Sequence, residues 1–155
     1  MRLRARLSAV DFDTQIKMAV YRTTVENGRP PEIGAVAGAL GASEPDVQQA
    51  YARLARNRLL VLESDGRTIR MAPPFSGVPT QHRVRAGGVD YFANCAWDAL
   101  GIPAALHRSA EVVSRCAQSR EPLLVLVGRD GPEDSPLLFH CGVPAARWWQ
   151  DIVFT

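Results

Sequence analysis

Lysine is almost missing from this chain of 155 residues: one Lys (Lys17) stands against 17 Arg, and the formal net charge is only +2. Residues 1–75 hold 11 basic and 8 acidic side chains, and residues 76–155 hold 7 and 8. An excess of three in the first half is far from the basic stripe expected of a nucleic-acid binder. Three cysteines in 155 residues exclude a disulfide-stapled scaffold. Apolar runs are short pieces such as Leu123 to Val127, against the roughly 20 residues a membrane helix needs, so no membrane partner is expected. Met1 to Val10 carries Arg2, Arg4 and Arg6 without an apolar h-region, which predicts no secretory signal and a reducing, cytoplasmic setting with free thiols. CxxC, HExxH, GxGxxG and GxSxG are all absent, so zinc sites, nucleotide loops and serine hydrolases gain no support.

What is present divides in two. Residues 13–27 predict a helix with Ile16, Ala19, Val20 and Thr23 on its apolar stripe, ended by Asn27-Gly28. Ile33, Val36, Ala37 and Leu40 repeat at helical spacing before Gly41. A third helix opens with Ser43, Pro45 and Asp46 and buries Val47, Ala50, Tyr51 and Leu54. Leu59–Leu62 and Thr68–Met71 then read as strands around a Ser64-Asp65-Gly66 turn. Three helices and a two-stranded wing make a winged helix-turn-helix-like module over 1–74, with residues 44–57 in the recognition-helix place. The start of that helix carries Glu44 and Asp46, which repel phosphate, so DNA is a possible but disfavoured partner.

Ala72 to Gly77, with Pro73-Pro74, reads as a linker into an α+β domain over 75–155, a small mixed sheet with helices. Its predicted elements are a strand at Arg83–Arg85 broken by Gly87-Gly88, a helix over Tyr91–Leu100 closed by Gly101 and Pro103, and three strands at Glu111–Cys116, Leu123–Val127 and Leu137–Cys141. A last element starts at Arg147 and runs to Phe154.

The segment Asn94-Cys95-Ala96-Trp97-Asp98 carries the chemistry. Three residues apart on a helix, Cys95 and Asp98 share a face. Near a helix N-terminus the dipole favours a thiolate at Cys95, and apolar neighbours favour the protonated form of Asp98. Spacing alone does not assign them, since a single cysteine among apolar residues is more often a small buried hydrophobe. Cys116, in line with Val112 and Ser114, reads as core. His140 and Cys141 are neighbours and, in a strand, point to opposite faces.

Phe75-Ser76-Gly77-Val78-Pro79-Thr80, then Asn94-Cys95-Ala96-Trp97-Asp98-Ala99-Leu100-Gly101-Ile102-Pro103, then Val143-Pro144 with Trp148-Trp149-Gln150-Asp151-Ile152, resemble the alkylmercury (organomercurial) lyases. The resemblance implies a winged-helix-like module ahead of a lyase domain, and cleavage of carbon–mercury bonds by protonolysis without a cofactor. It implies Cys95 as nucleophile and soft-metal ligand, Asp98 as proton donor, and a second thiol completing a dithiolate around Hg(II) before transfer to cellular thiols or mercuric reductase. Counting back from Val143-Pro144 places that second thiol near Asp134 or Ser135, neither of which has one; Cys141 is the nearest candidate, and the expected catalytic and metal-binding set is Cys95, Asp98 and Cys141. A lyase-like protein that binds soft metal or mercurials without cleaving them, or a DNA-binding metal sensor, are the alternative readings.

Overall fold

The computed structural model describes residues 10–153, so Arg2, Arg4, Arg6 and Phe154 lie outside the described residues. Asp11 opens the first helix, α1 (Phe12–Asn27), its carboxylate accepting from Thr14 N at 3.0 Å. The buried stripe is Ile16, Val20 and Thr24, one residue beyond the expected Thr23, because the stripe steps by four and the Thr24 hydroxyl is satisfied by Val20 O at 2.7 Å. Helices α2 (Ile33–Leu40) and α3 (Glu44–Arg56) follow, the latter capped by Ser43 with Pro45 in its first turn. Strands β1 (Val61–Leu62) and β2 (Ile69–Ala72) form an antiparallel hairpin. Val47, Ala50, Tyr51 and Leu54 of α3 meet Ile16, Val20, Val36 and Leu60 in a first core.

Ala72 to Gly77 is not a linker. The chain reverses at Pro73-Pro74 and returns as β3 (Phe75–Ser76), which pairs with β2 and makes the hairpin a three-stranded sheet. Phe75 points into a second core with Tyr91, Val84, Ala99 and Ile102, and Tyr21 of α1 packs against both cores. Two prolines mark a tight reversal here.

The second sheet runs β5-β4-β6-β7-β8, with β4 (Arg83–Ala86), β5 (Val89–Phe92), β6 (Ala110–Arg115), β7 (Pro122–Gly128) and β8 (Gly131–Pro132). The expected mixed sheet is wholly antiparallel, because hairpins join β4 to β5, β6 to β7 and β7 to β8. Alternation sorts its faces: Val84, Ala86, Ala110 and Val112 point into the core while Arg83, Arg85 and Glu111 point out. The inner face is covered by α4 (Ala96–Leu106).

Two further expectations are corrected. Tyr91 and Phe92 are strand, not helix, so α4 starts only after Cys95; it runs through Gly101 and Pro103 and ends at His107 in the left-handed region. Gly101 does not stop the helix: it lies where a Cβ would touch Pro74 Cβ at 3.4 Å. Leu137 to Cys141 forms no strand; it is an irregular segment, with Leu138 94% exposed, leading into one 3₁₀ helix, Ala145–Gln150. No helix among the described residues is long and apolar enough to cross a membrane.

Candidate functional site

The chain leaves the edge strand β5 at Phe92 and turns into α4 at Cys95, which takes the N-cap position with extended dihedrals. An N-cap side chain sits over the free N–H groups of the first helical turn. Those of Trp97 and Asp98 do favour the thiolate of Cys95, as the sequence suggests, yet burial outweighs them and pushes the thiol above its ordinary range. The nearby Asp98 charge pushes it in the same direction.

Asp98 lies in the first turn of α4, its carboxyl against the Cys95 thiol. Burial raises its proton affinity, while hydrogen bonds from Asn94 and Cys95 work against that rise. Asn94 Nδ2 donates to Asp98 Oδ2 at 2.9 Å and to Pro74 O at 3.3 Å. The spacing Asn94–Asp98 is i, i+4, the signal by which sequence reasoning could have found this partner; Asn94 has no role in the sequence reading.

The two sides of α4 face different surroundings. Asp98 and Gly101 look toward the Pro73-Pro74 turn, where Tyr21 OH donates to Pro73 O at 2.8 Å. Ala96, Ala99 and Leu100 line a cavity of about 390 Å³ closed on the other side by β6, β7 and the segment Pro132 to Phe139. Asp134 and Ser135, at the place counted for the family's second thiol, lie on its wall. Ser114 lines it too, its Oγ 2.8 Å from Nδ1 of the half-buried His82, whose proton affinity burial lowers.

The remaining cysteines stand apart from the Cys95–Asp98 pair. Cys116 is not core: it begins the turn after β6, accepts from Ser119 N at 3.5 Å, and is pushed below the ordinary thiol range by the Ser119 side chain first and by backbone N–H groups next. Cys141 is exposed and its thiol donates to Val143 O at 3.0 Å. Trp148 Nε1 donates to the same oxygen at 2.7 Å, and the Trp148 ring meets Trp97 edge-on at 6.3 Å. Phe139 packs on Trp97 at 5.8 Å. Cys141 thus rides on a segment docked on Trp97, which directly precedes Asp98 in the first turn of α4. Among the described residues no three His, Cys, Asp or Glu side chains gather as a metal-ion site, so Cys141 does not join Cys95 and Asp98 in one.

Residues 75–155 match the family model described as alkylmercury lyase (MerB). Among solved structures, the mercury-bound form of MerB2 is similar with a TM-score of 0.65 and 25% sequence identity, over 83% of this chain and 62% of that one. The chain thus spans less than two thirds of the length of that relative. No curated protein matches the sequence significantly.

Proposed function

Because this chain belongs to the alkylmercury lyase family, we propose that it cleaves the carbon–mercury bond of organomercurials by protonolysis, with Cys95, Asp98 and Cys141 as its working residues. The observation that carries the reading is the pairing of a half-buried thiol at the N-cap of α4 with a carboxyl of raised proton affinity one turn on. Mercury(II) is soft and prefers sulfur. As R–Hg–X binds Cys95, the sulfur–mercury bond forms, X leaves with its electron pair, and the thiol proton passes to Asp98. The carbon–mercury bond then breaks with both electrons on carbon, and Asp98 returns that proton to it as general acid. Hydrocarbon leaves, and Hg(II) stays on the Cys95 sulfur.

A second thiolate completes two-coordinate mercury, and Cys141 is the candidate within the chain. Cellular thiols or a mercuric reductase then accept the ion, in the cytoplasm. The apolar cavity that begins at Ala96, beside Cys95, suits a hydrocarbon group. The three helices and hairpin ahead of this domain serve as a winged-helix-like module whose part is docking rather than DNA reading. The test is hydrocarbon release, by headspace gas chromatography, from an arylmercury salt in excess thiol. Wild type is expected to exceed background and Cys95→Ala to equal it; equal rates for both refute lyase activity.

One observation favours a second reading, mercury binding without turnover: Cys141 is exposed and not gathered with Cys95 and Asp98. Stoichiometric mercury uptake with no hydrocarbon release distinguishes it.

A further inference from the structure

Asn94 has an unusual hydrogen-bonding state. Its Nδ2 serves two acceptors, Asp98 Oδ2 and Pro74 O, so turning the amide over would set oxygen against oxygen. Its Oδ1 is buried without a partner. An unpaired buried acceptor is costly and calls for a reason. The reason lies in what the amide holds. Pro74 O belongs to a turn whose preceding carbonyl, Pro73 O, takes the hydroxyl of Tyr21 at 2.8 Å. The Tyr21 ring meets Phe75 edge-on at 6.4 Å, and Phe75 pairs with Ala93, the residue before Asn94. Contacts therefore run without a break from α1 to the Asp98 carboxyl.

We propose that Asn94 is the positioning residue of the Asp98 acid, and that Tyr21, by holding the Pro73-Pro74 turn, places Asn94, so that the three-helix module sets the aim of the proton donor. This rests on the reading of Asp98 as that donor. The amide leaves one carboxyl oxygen fixed and turns the other toward Cys95 and the departing carbon. Its N–H also favours the carboxylate that proton transfer leaves behind, opposing burial. Asn94 does not touch the reacting atoms; it acts through Asp98.

The experiment uses the full chain with two variants: Asn94→Leu, which keeps the number of side-chain heavy atoms and removes the amide, and Tyr21→Phe, which removes only a hydroxyl. Carbon-13 NMR titration of the Asp98 carboxyl reads the effect without turnover. Asn94→Leu is expected to raise the titration midpoint, and Tyr21→Phe to raise it by less. With an arylmercury substrate, kcat is expected to fall up to about 10²-fold in Asn94→Leu with KM little changed, the scale of a misaligned general acid, and its high-pH limb to move up. An unchanged midpoint in a folded Asn94→Leu protein overturns the proposal, since a purely structural role moves stability and not titration. A raised midpoint in a protein whose wild type releases no hydrocarbon upholds the positioning and refutes the lyase reading.

Discussion

Gly28 and Gly41 offer a matched pair for measuring how firmly α1 is joined to the second sheet. Both cap helices in the left-handed region, with φ of 81° and 62°. Around Gly41 there is open space for a Cβ, so Gly41→Ala registers only the left-handed penalty of about 1–2 kcal/mol. A Cβ at Gly28 would overlap Asp90 O of β5 and meet Val89 Cγ1 at 3.4 Å. Asp90 O is backbone and cannot turn aside, so β5 has to draw back from α1. The contact next to yield is Tyr91 OH, which donates to Val25 O at 2.7 Å. Losing that bond beneath a residue 1% exposed adds about 1–3 kcal/mol. Gly28→Ala is therefore expected to cost about 2–5 kcal/mol in all, and to exceed Gly41→Ala by about 1–3 kcal/mol. Urea denaturation of both variants reads the difference as a shift in midpoint at constant slope. On heating, each kcal/mol corresponds to about 2–4 °C in a chain of this size. Equal losses in the two variants, within about 0.5 kcal/mol, would falsify the claim that α1 and β5 are in tight register.

Two other outcomes are expected. Iodoacetamide at pH 7 should label Cys116 before Cys95, because an ordinary thiol is about 3% thiolate there, Cys116 is shifted toward the thiolate and Cys95 away from it; peptide mass spectrometry showing Cys95 labelled first would contradict that upward shift. Asp98→Asn should stabilise the fold increasingly from pH 4 upward, since a carboxyl whose folded proton affinity is raised contributes most when protonated and that contribution is lost as pH rises through its folded value. Urea midpoints that stay parallel across that range would show that Asp98 is not desolvated.

Much of the first half was legible because its helices are amphipathic in the plain sense: the stripe Val47, Ala50, Tyr51, Leu54 is the one α3 buries. The second half misleads where one residue type serves two ends. Tyr91 to Ala93 is a short apolar run, and such a run suits a strand or a buried helix equally. Gly101 and Pro103 look like stop signals but sit inside α4, the glycine making room for Pro74. Leu137 to Cys141 has the composition of a strand but pairs with no strand among the described residues. At the site, spacing put Cys95 and Asp98 on one face, the resemblance to the lyases singled them out, and apolar neighbours pointed to the desolvation of Asp98. The burial that pushes the Cys95 thiol up was not, because it depends on how α4 is pressed onto the sheet. Nor was the Tyr21 link, which joins residues 52 positions apart.

The Pro73-Pro74 reversal has a practical consequence for anyone who would isolate the region that matches the family. A fragment beginning at Phe75 would keep every residue of the matched region and still lose three supports: the β2 edge that pairs with β3, the Tyr21 ring beside Phe75, and Val25 O, the acceptor of Tyr91 OH. An uncovered two-residue strand and an aromatic pair turned to solvent invite self-association. The boundary that homology draws is thus a poor place to cut, and a useful dissection of this protein starts instead from point changes along α1.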